Sequence, residues 1–181
     1  MAKLPVLFRA YIYPHFVYGI QLFMFCSMAS RAKLESLFRR CCRVVLRDTG
    51  QFPLISNESV YRLTGVFPLR HLFQYTSAVM LYKILVLKQV PALQSLFCPV
   101  AHTRRSIRIV PDNVIVLRVP MVSLESSKRS FAYWGAKLWN SIPVKIRCSE
   151  SLQMFTKLYR EYLLLRLSAT IGDQYDILDF V

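Results

Sequence analysis

Glycine is scarce in this sequence, 5 in 181 residues, and so short a supply argues against a turn-rich β-sandwich. Acids are few as well, 10 Asp and Glu against 24 Lys and Arg. No two aspartates are adjacent, and upstream of the C-terminal end Asp48 and Asp112 stand alone in separate loops. Two-metal chemistry needs clustered carboxylates, so no catalytic metal site is expected. Nor is there a Gly-x-Ser-x-Gly elbow, a Walker loop or a His-Glu-x-x-His pair. The five cysteines (Cys26, Cys41, Cys42, Cys98, Cys148) are odd in number and form no Cys-x-x-Cys. His15, His71 and His102 do not fall at zinc-finger spacing from them. The expectation is reduced, mostly buried thiols in an intracellular protein without a secretory signal, with no metal, no cofactor and no catalytic residue. His15 and His71 read as core histidines, and His102 as a neighbour of arginines.

What is present is apolar and basic. Hydrophobic residues make up 54% of the chain, too many for a disordered polymer and enough for a real core. The net charge is +14, with every Lys and Arg at or before Arg166 and three aspartates (Asp173, Asp176, Asp179) in the last nine residues. A chain so charged repels itself unless a polyanion is near, which points to nucleic acid or anionic lipid. Ala10 to Ser30 is a 21-residue run without Lys, Arg, Asp or Glu, followed by Arg31, Lys33, Arg39, Arg40 and Arg43. Length and flanks suit a membrane span. Pro14, His15, Gln21 and the tyrosines within it favour a buried core helix instead.

The first helix is expected from about Leu4 to Met28, bent at Pro14 and the most buried element of the fold. A second, about Arg31 to Arg47, carries Leu34, Leu37, Phe38, Cys41, Cys42 and Val45 as one apolar stripe. Arg39, Arg40, Arg43 and Arg47 project from the rest, with Glu35 the one acid among them. That face is expected to meet phosphate, the alternative being plain solvation. After a loop, a short helix stops at Gly65, a candidate left-handed residue. A long helix then runs from Pro68 to about Lys88. Ile107 to Val119 is rich in β-branched residues, which suits two short strands or an extended arm turning at Pro111 and Asp112. Ser130 to Trp139 reads as helix, broken by Pro143. The last helix, from Ser149 to about Leu167, turns Leu152, Phe155, Leu158, Tyr159 and Tyr162 inward. Phe131, Trp134 and Trp139 have the chemistry to stack on bases, but packing is their expected role.

Two blocks carry a resemblance. "LPVLFRAYIYPHFVYGIQLF" with "LESLFRRCCRVVL" resembles the segment after the palm in non-LTR retrotransposon reverse transcriptases, through Ala10-Tyr11, Ile12, Pro14, Tyr18, Gly19 and Ile20. Phe23 stands where that family often has Trp. "TRRS" at Thr103 to Ser106, and the block from Lys128 to Leu164, resemble the C-terminal signature of the same polymerases. The centre of that block is Ser130-Phe131, Gly135-Ala136, Leu138-Trp139-Asn140-Ser141-Ile142-Pro143, Ser151-Leu152 and Phe155. The likeness covers roughly residues 4 to 165. It implies that the paired aspartates of the palm lie upstream of the residue matching Leu4, and that thumb helices here grip a template–primer backbone.

The expectation is therefore a mainly α, thumb-like helical bundle with a small extended element around residues 106–119. Its segments are 1–97, a thumb-like helical region; 98–127, an extended basic arm or short hairpin; 128–167, a C-terminal helical block; and 168–181, an acidic tail. The function expected is that of a non-catalytic C-terminal fragment of an RNA-directed DNA polymerase. Contacts to RNA or DNA phosphates are expected at Arg39, Arg40, Arg43 and Arg47, then Arg104, Arg105 and Arg108, then Lys128 and Arg129. A membrane anchor at 10–30, and a protein-interaction module docked on a polymerase palm, are the alternatives.

Overall fold

The structure, a computed structural model, describes residues 3–48, 57–100 and 114–169. Arg104, Arg105, Arg108, the turn expected at Pro111–Asp112 and the acidic residues of the tail lie outside the described residues. The described chain is mainly helical, as the composition implies. It divides into two compact units, Met1–Gln74 and Tyr75–Val181.

The first unit opens with a helical path that changes pitch three times. α1 (Lys3–Leu7) runs into a π turn (Phe8–Ile12), then α2 (Tyr13–Gly19), then a 3-10 turn (Ile20–Phe25). Pro14 supplies a physical reason for the π turn. Its ring has no N–H and crowds the carbonyl four residues back, so the preceding turn widens, with the Tyr13 N–H donating to the Phe8 carbonyl. The path ends at Cys26, whose ψ of 149° is extended. Expectation and structure differ here. This stretch was expected to be the most buried element, yet only Phe8 and Ile20 are buried among its described side chains, and Tyr18 is 94% exposed. His15 is exposed too. An all-apolar helix does not reveal which of its sides has a partner. Nor does one span cover 10–30, because the break at Cys26 divides it. Among the described residues no helix is long and apolar enough to cross a membrane.

α3 (Met28–Asp48) begins three residues before its expected start, because Ser27 Oγ accepts the Ser30 N–H as an N-cap. Phe38 is its anchor. The ring is fully buried, stacked on Tyr61 at 6.1 Å and met edge-on by Phe16 at 4.8 Å. The buried face is rotated from the expected stripe. Phe38, Cys42, Val45 and Leu46 point inward, but Leu34 and Leu37 are exposed and Cys41 is half-buried. Arg31 and Glu35 take their place, since partners await both. The Arg31 guanidinium lies over Phe23, 5.7 Å from the ring centroid, while its Nε donates to the Cys26 carbonyl at 3.0 Å.

α4 (Asn57–Thr64) packs on α3 and ends at Gly65, whose φ of +68° is the left-handed conformation expected of it. There the Arg9 Nη2 donates to the Thr64 carbonyl at 3.2 Å, closing the helix end from the N-terminal path. α5 (Leu69–Leu85) begins just after Pro68 and carries the boundary between the units within its length.

In the second unit α5 is followed by α6 (Pro91–Gln94), α7 (Glu125–Lys128), α8 (Phe131–Ser141), α9 (Val144–Arg147) and α10 (Leu152–Ala169). Ser151 caps α10, its Oγ accepting the Met154 N–H at 3.2 Å. Phe155 is fully buried among rings, with Tyr82 at 4.5 Å, Tyr159 at 5.8 Å and Trp139 at 6.2 Å. α8 presses its Gly135 against Phe97, where a Cβ would lie 3.2 Å from the ring, so glycine permits the approach. Of the extended element, residues 114–119 are described. Leu117 bridges antiparallel to Pro99, with the Val100 N–H donating to the Val116 carbonyl and the Arg118 N–H to the Cys98 carbonyl.

Candidate nucleic-acid interface

A helix of α3's composition has two sides with different chemistry. The inner side is apolar except for Arg31 and Glu35, and both oxygens of Glu35 are employed. One carboxylate oxygen accepts the Tyr61 hydroxyl, and the other accepts the Leu69 N–H at 3.1 Å, at the start of α5. Burial and the neighbouring Glu35 carboxylate both push the Tyr61 phenol up, while Arg39 draws it down. The phenol therefore stays protonated and keeps donating. Close by, burial pushes the Cys42 thiol up to about 12, despite the Thr64 hydroxyl beside it.

Using Glu35 internally has an electrostatic consequence outside. Between Met28 and Arg47 it is the single acid, so no carboxylate of this segment faces the outer surface. Lys33, Arg40 and Arg43 are exposed there. Arg40 and Arg43 are three residues apart and so are neighbours on the helix surface. Arg39 is half-buried and acts on the Tyr61 hydroxyl, which gives it only a share of the outer face. The side chain of Arg47 lies outside the described residues, as do Arg104, Arg105 and Arg108. Lys128, half-buried, ends α7 in the second unit, and Arg129, exposed, caps it. The outer face of α3 is not purely basic, because Leu34, Leu37 and Val44 are exposed beside the cations.

The aromatic residues of the C-terminal block are packed. Trp139 is 0% exposed and stacks on Phe155, and its indole N–H donates to the Ile115 carbonyl at 2.9 Å. Trp134 is buried, and half-buried Phe131 meets it and Phe97 edge-on. No base could stack on Trp139 without unfolding this core.

A second polar constellation was missed in the sequence. Asn140 Nδ2 donates to the Leu117 carbonyl at 2.7 Å, and its Oδ1 accepts the Leu117 N–H at 3.0 Å. The amide thereby stands in for a neighbouring strand on the side of Leu117 away from Pro99. The Arg147 Nη1 donates to the Ile115 carbonyl at 2.9 Å, and burial lowers the guanidinium's proton affinity. Trp139, Asn140 and Arg147 together hold the extended segment by its backbone. The one available hint was a polar Asn directly after a buried Trp.

Among the described residues, no group of three or more His, Cys, Asp or Glu side chains is placed to hold a metal ion. Comparison with protein-family models, with curated proteins and with solved structures returned no match to the chain.

Proposed function

We propose that the chain is the thumb-like, non-catalytic C-terminal part of a polymerase resembling the non-LTR retrotransposon reverse transcriptases. In this reading it holds the RNA or DNA backbone through sequence-independent phosphate contacts. The observation that carries it is the outer face of α3. Glu35, the one acid from Met28 to Arg47, is committed to Tyr61 and Leu69, while Lys33, Arg40 and Arg43 are exposed. An ordinary solvated helix intersperses signs to gain i,i+4 pairs. A face of one sign suits a polyanion.

Three phosphate contacts on a duplex give a slope of log affinity against log salt near about −2.7. Arg40→Gln removes one charge and keeps helix propensity, so the slope should flatten by roughly one unit. Affinity for unrelated sequences should fall by about the same factor, since phosphates carry no sequence information. Salt titrations of both proteins on two duplexes and an RNA/DNA hybrid measure this. A slope unchanged by Arg40→Gln, and again by Arg43→Gln, sinks the proposal. The purified chain should extend no primer with Mg²⁺ or Mn²⁺. Extension that rises with purity would overturn the non-catalytic part of the reading.

A further inference from the structure

The N-terminal helical path has an inner side, with Phe8 and Ile20 buried and Tyr13, Phe16 and Phe23 half-buried, and an outer side that is exposed among the described residues. On that outer side Val6 is 68% exposed, Tyr11 69%, Tyr18 94% and Leu22 65%, with Leu7 and Ile12 also exposed. At ~150–250 Å² for a large aromatic side chain, Tyr11 and Tyr18 alone leave on the order of 300 Å² to water, and the four aliphatic side chains add to it. Monomers rarely expose an apolar patch much beyond ~300–600 Å². A standard interface covers ~800 Å² of each partner.

Charge narrows the choice of occupant. The chain carries +14, so two copies repel wherever their basic surfaces meet. From Ala10 to Ser30 there is no Lys, Arg, Asp or Glu, and Arg9 reaches to the Thr64 carbonyl on α4. A face that is both apolar and uncharged is one on which two such chains meet without like charges opposed. An isologous contact, the same patch on each copy, needs that property. Its tyrosines also suit an interface core, where aromatics are enriched and Lys is depleted. We propose that two copies of this chain associate through the outer side of the helical path over residues 6–22, centred on Tyr11, Tyr18 and Leu22.

Sedimentation equilibrium of the full chain, without nucleic acid, tests this. The expected result is a concentration-dependent mass approaching twice 21.1 kDa. Association should tighten as salt is raised, because salt screens the repulsion between the copies and leaves the apolar contact intact. Nucleic-acid binding loosens with salt, so the two readings fail separately. Tyr18→Glu and Leu22→Glu, both at exposed positions, should each raise the dimer Kd about tenfold or more, since two-fold symmetry places each charge twice. Tyr18→Phe should dimerise as the unaltered chain does, and circular dichroism should show equal helicity in all four proteins. A monomeric mass at every concentration overturns the proposal. So does a dimer indifferent to both glutamates, or a monomer that floats with neutral phosphatidylcholine vesicles and loses that property in Tyr18→Glu.

Discussion

Asn140→Ala should unfold the second unit's extended segment from its edge. The substitution removes a half-exposed side chain and opens no large cavity, so the loss is almost wholly one of hydrogen bonding. Leu117 is buried, and its N–H and carbonyl both bond to the Asn140 amide, at 3.0 and 2.7 Å. Its neighbours Val116 and Arg118 are the ones bonded to Val100 and Cys98, so Leu117 gains nothing from that side. Two buried backbone groups would be orphaned at ~1–3 kcal/mol each, and partial hydration brings the expected loss to about 2–4 kcal/mol. That is a large share of a typical ~5–15 kcal/mol stability. Urea unfolding followed by fluorescence is suited to the measurement, because both tryptophans, Trp134 and Trp139, are buried in this unit. Asn140→Asp adds a signature in pH. Ionised, its carboxylate accepts the Leu117 N–H but opposes the Leu117 carbonyl; protonated, it donates to that carbonyl. The folded state therefore raises this carboxyl above its unfolded value near 3.9. The regained stability is fully present below that value and lost as pH rises through the folded one. An Asn140→Ala protein within about 0.5 kcal/mol of the unaltered chain, the scatter of ordinary surface changes, would refute the reasoning.

Phe155→Ala should cost about 3–5 kcal/mol in the same assay, because it empties the centre of the ring cluster formed with Tyr82, Trp139 and Tyr159; a smaller loss than Asn140→Ala would contradict that packing. Gly65→Ala should destabilise the first unit by ~1–2 kcal/mol, since φ is +68° there and the new Cβ would lie 3.2 Å from the Arg9 Nη2; an unchanged midpoint would mean that the α4 end is not left-handed. Exposed Cys98 should react with a disulfide reagent at pH 8 in the native protein, whereas Cys42 should react only on unfolding. Burial pushes the Cys42 thiol up to about 12, so its stabilising share is complete below its unfolded value and disappears as pH rises through about 12; a second native thiol reacting as fast as Cys98, traced to Cys42 by mass spectrometry, would contradict this burial.

Several features were open to reading before any coordinates. The left-handed end at Gly65, the break at Pro143, the helical class and the inward turn of Phe155 and Tyr159 follow from local sterics and a 3.6-residue period. Each of these depends on near neighbours in the chain. The exposure of the N-terminal path was not legible, because an apolar surface all round a helix does not say which side meets a partner. The rotated face of α3 was hidden for a related reason. Glu35 can turn inward only because Tyr61 and the Leu69 N–H, 26 and 34 residues away, receive it. Asn140 is likewise a plain polar residue until folding brings Leu117, 23 residues earlier, within its reach. The sequence by itself determined that the chain is helical, basic and apolar enough to fold. Tertiary structure alone decided which charges stay outside, since a charged group is buried only where distant partners replace its water.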